Sequence, residues 1–294
     1  MSPHNVDALA GIAWVVNGIK LWWRDLRGLG SFGLMLGFVG ILPNLAAALA
    51  PPLAFLVQML SLLVSVAIIV ALFYAAREVE AGRSATPAQL LRNLQPGPKT
   101  ARMIAGVLLP QLAMLVLCGM LLVWIVGVDE MEKLVKLMQD MQAGKPMPPP
   151  QALADLAIAQ FMLWLAAAVA VILIVGLLTF TLLPDMLFGD VGLFRALQRS
   201  VGACMANLPA MAMFAIGITI LGASLLAFLS PVGFMLMPIV GQFGAGVLLN
   251  MLFVGVLTPI ATNALYLGWK QLRGPQSGNG ESAAPAPPSD RVAM

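Results

Sequence analysis

The chain has 294 residues, of which 60% are hydrophobic and 10% charged, and a formal net charge of +3. That balance excludes an ordinary soluble domain, in which about a quarter of the residues are charged. It also argues against a nucleic-acid partner, because the basic residues lie beside apolar segments and are not interleaved with stacking aromatics; anionic lipid headgroups are the expected counter-charge.

The N-terminal arm, 1–28, carries Asn17, Lys20, Arg24 and Arg27 three and four residues apart, while Ile12, Val15, Ile19, Trp22 and Leu26 repeat on another face. This spacing predicts a basic amphipathic interfacial helix. Lys20, Arg24 and Arg27 are assigned to lipid headgroups, with Trp14, Trp22 and Trp23 suited to the same boundary; a partner-binding helix is the alternative. Asp7, Lys20, Arg24, Asp25 and Arg27 leave no compact apolar stretch for a cleavable signal peptide. His4 falls in an arm expected to fray.

Six segments, 29–50, 53–76, 103–128, 156–184, 209–229 and 239–267, are apolar over a length able to cross about 30 Å of hydrocarbon. The predicted fold is therefore an all-α, polytopic bundle of six transmembrane helices with amphipathic interfacial helices. Pro51-Pro52 closes the first pair of spans, and the stretch 230–238 is expected to close the last. Pro259 predicts a kink or tilt in the final span. On the first span Gly30, Gly33, Gly37 and Gly40 recur three and four apart. Gly33, Gly37 and Gly40 are assigned to close helix packing, within the chain or across a dimer seam, and Gly241, Gly244 and Gly246 are given a similar role in the last span.

Between the spans, Thr86-Pro87 starts a short helix predicted to run through Leu94 and stop at Pro96-Gly97-Pro98. The loop 129–155 opens with a helical stripe of Met131, Leu134, Val135, Met138 and Met141. Thioethers bind copper(I), but no Cys or His accompanies them, and a packing or lipid-facing surface is the expectation. A helix over 190–208 has Phe194, Leu197, Val201, Met205 and Leu208 as its apolar stripe, with Arg195 and Arg199 off it and assigned to headgroups. Cys118 and Cys204 read as reduced packing residues. The tail, 268–294, ends in a Gly, Ser, Ala and Pro-rich stretch expected to be disordered. Of the 16 Lys and Arg residues, only Lys133, Lys136 and Lys145 fall on the side opposite the termini, which predicts that both termini are cytoplasmic.

The first and last thirds repeat one order of parts: basic amphipathic helix, span, proline break, span, short basic exit. The exits, Tyr74 to Gly82 and Tyr266 to Gly274, have the same length. Both hairpins would then share one orientation, a parallel repeat. The run Leu183-Pro184-Asp185, then Phe194-Arg-Ala-Leu197, Arg199-Ser200 and Asn207-Leu-Pro209, together with Trp14, Gly18, Trp22 and Glu80-Ala-Gly-Arg83, resembles an uncharacterised proteobacterial family of six-span inner-membrane proteins. That family is similar to the membrane portion attached to some glycerophosphodiester phosphodiesterases. The resemblance spans most of 11–273 and implies a fold and a bacterial inner-membrane location. It assigns no catalytic or binding residue, and the phosphodiesterase catalytic domain is absent from this chain.

No Asp, Glu, Lys, Arg or His is expected deep in a span, where such groups tend to mark proton relays or substrate paths. No catalytic residue, cofactor or metal site is assigned. Asp185, at the end of the fourth span, is expected to pair with a basic residue or cap the next helix; a catalytic role would need a second acid, for which only Asp190 presents itself. Neutral polar residues at depth, among them Ser61, Thr262 and Asn263, either hold helices together or line a path for a small solute. The expectation is a non-enzymatic accessory or scaffold protein of the envelope, with a homo-oligomer or another membrane protein as partner. The alternative is a transporter or channel for an uncharged or lipid-like solute.

Overall fold

A computed structural model describes residues 4–86, 97–142 and 158–274. The helix predicted from Pro87 to Leu94, the proline run Pro146 to Pro150 and the tail beyond Gly274 lie outside them. The described residues form α-helices joined by short connections: α1 (Ala10–Arg24), α2 (Leu26–Leu49), α3 (Ala54–Glu80), α4 (Pro98–Ile125), α5 (Val128–Gln142), α6 (Ile158–Leu178), α7 (Leu182–Phe188), α8 (Leu193–Ala206) and α9 (Leu208–Arg273). Five stretches are long and apolar enough to cross a membrane: Leu26–Ala47, Pro51–Glu80, Thr100–Ile125, Ile158–Phe188 and Leu208–Arg273. The chain is thus all-helical in its described residues and reads as a multi-pass membrane protein.

The last of these stretches has 66 residues, about three times what one crossing requires, and it folds back on itself. Gly241 has φ 73° and ψ 167°, a backbone that only glycine enters without strain. On either side of it the arms run antiparallel: Gly233 packs on Leu249, and Gly222 faces Leu257 and Phe253. The reversal therefore falls at Gly241 and not in the stretch 230–238 expected to make it. Pro231 and Pro238 both remain inside helix. A proline removes one backbone donor but leaves φ helical, whereas the positive φ at Gly241 forces the chain to change direction. Gly241 is accordingly a turn residue, not the packing residue that its spacing suggested.

Helix α1 lies lengthwise against both arms of α9. Gly11 approaches the backbone of Ala210 and Phe214, and Gly18 that of Ile260 and Ala264. Beyond it α2 continues along the second arm, with Gly33 against Gly255 and Pro259 and Gly37 against Met251. These small residues let helix axes come close, which is how helices associate where lipid tails supply no hydrophobic drive. A Cβ at Gly37 would lie 2.9 Å from the Met251 Cα, while at Gly40 it would meet nothing within 4 Å. Gly40 therefore takes no part in a seam among the described residues.

The repeat expected from the sequence has counterparts in the backbone. Asp25 joins α1 to α2 and Asn207 joins α8 to α9, both with φ near the extended range and ψ well below it (−139°, 66° and −126°, 33°). Gly82 and Gly274, closing the two exits, both have positive φ, 78° and 69°. Between the exits sits Phe188, in edge contact with Tyr74 at 5.5 Å and Tyr266 at 5.7 Å. Helices α4 and α6 form a separate hairpin, tied by the Trp164 indole N–H donating to the Cys118 carbonyl at 3.0 Å. It meets the remaining helices near the α7 end, where Met103 joins the main core and Gly106 faces Met186.

Candidate functional site

The charged residues of separate elements converge at one end of the bundle. Short α7 lies buried there, and its Asp185 is 1% exposed. One oxygen of Asp185 accepts from the Trp269 indole N–H at 2.5 Å and from Arg273 Nε at 2.8 Å, with Arg273 Nη2 completing the ion pair. Thr181 Oγ1 lies 3.4 Å from the other oxygen. The Thr181 backbone N–H donates to Ser200 Oγ at 3.0 Å, which fixes α8 under the same turn. A buried carboxylate is stable only when its charge is met in this way. Asp185 therefore takes the pairing role expected of it, with Arg273 as its partner. Asp190 is exposed in the turn that follows, at φ 47°.

A second ionic group lies alongside. Glu80, ending α3, accepts from the Tyr266 hydroxyl at 2.8 Å and from Lys270 Nζ at 2.7 and 2.8 Å. Together with Phe188, Tyr266 and Trp269 form a ring cluster, over whose Phe188 edge the Arg77 guanidinium sits at 5.6 Å from the ring centroid.

From His4 onward the N-terminal arm crosses this end and is held there by hydrogen bonds. The His4 N–H donates to the Leu272 carbonyl at 3.1 Å. Asn207 accepts from the Val6 N–H at 2.8 Å and donates to the His4 carbonyl at 3.2 Å. Trp14, expected at the headgroup boundary, is only 2% exposed; it packs on Phe180 and Phe214 and donates its indole N–H to Gln271 at 2.6 Å. Between the arm, the ends of α3 and α9, and Phe188 lies a cleft of about 1200 Å³, with Asp7, Asn17, Arg77, Lys270 and Arg273 among its lining.

The residues assigned to headgroups lie elsewhere. Lys20, Arg24, Arg27, Arg195 and Arg199 are exposed. Trp23 is exposed and in edge contact with Trp22, which is half-buried against the main core, its indole N–H without a partner. Helix α8 shows its small side inward, Ala196, Ser200, Ala203 and Cys204. Its large stripe faces out, Phe194 being 82% exposed, and burial among neighbours pushes the Cys204 thiol up from its ordinary value. Sequence reasoning did not find Arg77, Glu80, Lys270 and Arg273 as a group. Its one signal was the paired Tyr-to-Gly exits, which contain all four.

No group of three or more His, Cys, Asp or Glu able to hold a metal occurs among the described residues. Comparison with protein families, characterised proteins and solved structures gives no match.

Proposed function

We propose that this chain is a non-enzymatic accessory or scaffold component of a bacterial inner membrane, crossing it six times with both termini on the cytoplasmic side. Kinship with the uncharacterised six-span family belongs to the same proposal. The observation that carries the reading is the use made of the ionic groups: Asp185, Arg273, Glu80 and Lys270 bind one another across α3, α7 and α9. They hold helices in place, while the long helices offer broad apolar faces to lipid or to another membrane protein. For the crossing number, the support is that the N-terminal arm, the exit of α3, the α7–α8 turn and the exit of α9 all meet at one end. Each hairpin then starts and finishes on the same side.

Purification from native membranes in mild detergent, at native expression, tests the scaffold role. A defined protein recovered in fixed ratio is expected; recovery of this chain with lipid alone removes the reading. A transport role is the second reading, favoured by two buried oxygens without partners, Ser61 Oγ and Asn263 Oδ1, since such atoms are uncommon unless they meet water or a ligand. Solute flux into liposomes holding the purified protein would favour it.

A further inference from the structure

We propose that the cleft at the charged end binds a phosphate ester, with the Arg77 guanidinium as the principal contact. The cleft of about 1200 Å³ is far larger than one phosphate and has room for the group it esterifies. Three cations line it, and two are already held by carboxylates: Lys270 by Glu80, and Arg273 by Asp185. Arg77 differs. It is exposed, and its contact is the face of Phe188. No carboxylate among the described residues pairs with it, so its planar fork of N–H groups, matched in shape to two phosphate oxygens, is available to a ligand.

Its placement in the last turn of α3 has a bland explanation, because a cation there complements the helix dipole. That explanation covers Lys270 and Arg273 equally, yet these two also have carboxylate partners. Of the three, Arg77 alone lines the cleft without a carboxylate partner among the described residues. Asn17, from α1, adds an amide to the same lining, and Asp7 adds a negative charge. The acid favours a singly charged phosphodiester over a doubly charged phosphate. The apolar stretches of α3 and α9 end at Glu80 and Arg273, so a bilayer crossed by them would place the cleft near its lipid phosphates, within reach of soluble esters too.

The test is a binding titration of the full-length protein in a nonionic detergent with short-chain phosphatidylglycerol, glycerophosphoglycerol and glycerol 3-phosphate. Wild type should bind at least one of these, and Arg77→Gln should bind it about tenfold more weakly, the loss of about 1.4 kcal/mol expected for a charge-assisted contact. Arg83→Gln, which alters an exposed residue paired with Glu78 away from the cleft, should bind as wild type does. Saturation by the lipid alone makes a headgroup the source, and saturation by the soluble probes makes it a free ester. Should Arg77→Gln fail to fold, Asn17→Asp keeps Arg77, places a second carboxylate in the lining and should weaken binding similarly. Wild type binding none of the probes, or binding unaffected by these cleft variants, would overturn the proposal.

Discussion

At the residue scale, Asp185 is the position on which most depends. It is buried, and it holds Arg273 and Trp269 from the end of α9 against α7. Asp185→Ala leaves Arg273 with no counter-charge in a partly buried place, and breaking such a pair costs about 3–5 kcal/mol. Thermal melting in detergent should show a clear loss. The double variant Asp185→Leu with Arg273→Met should melt above the single, because removing both charges leaves none stranded; a double variant no better than the single would refute this account. Cys204 gives a milder check: with its thiol pushed up by burial, it should react with maleimide more slowly in the folded protein than after denaturation at the same pH. From sequence, Asp185 was legible as a carboxylate needing a partner, because Pro184-Asp185 ends a long apolar run. Its partners were not legible, since Trp269 and Arg273 lie in another helix and no local pattern encodes that pairing.

At the element scale, the glycines show which parts of a pattern carry meaning. Spacing marked Gly33, Gly37 and Gly40 alike, but only the first two face α9. Periodicity finds a face and not its length, and a Cβ at Gly40 would meet nothing within 4 Å. Gly33→Val should separate α2 from α9 and destabilise by about 1–3 kcal/mol, as overpacking does. Gly40→Ala should stay within about 0.5 kcal/mol of wild type. Denaturation followed by tryptophan fluorescence distinguishes the two. Gly241 shows the opposite error. Pro231 and Pro238 are loud signals of a break, yet both sit in helix, and the reversal uses a glycine whose spacing with Gly244 and Gly246 had marked it for packing. Gly241→Ala forces an L-residue into a positive-φ, extended-ψ backbone that is essentially glycine's alone, at about 1–3 kcal/mol, whereas Gly246→Ala, in open space within the helix, should be neutral or slightly stabilising. Helix α8 was legible as amphipathic, but the side that packs is its small one, because Ala196, Ser200 and Ala203 admit close approach and Phe194 does not.

At the scale of the whole molecule, the proposed topology predicts that reporters fused after Gly144 and after Gly278 report opposite sides of the membrane; the same side for both would refute six crossings. Apolar length and charge bias made the membrane class legible because the bilayer imposes both directly. The packing of α1 was not legible, since its amphipathic pattern suits a lipid surface and a protein groove equally. That helix also has a history in time. Gly11 and Gly18 rest on Ala210 and Ala264, which the ribosome adds about 200–250 residues later, an interval of roughly 10–50 s at common rates of synthesis. Until then the groove that receives Trp14 does not exist. For the whole of that delay its apolar face needs other cover, which it must give up when Ala210 and Ala264 arrive, because α1 is packed on α9 in the folded chain.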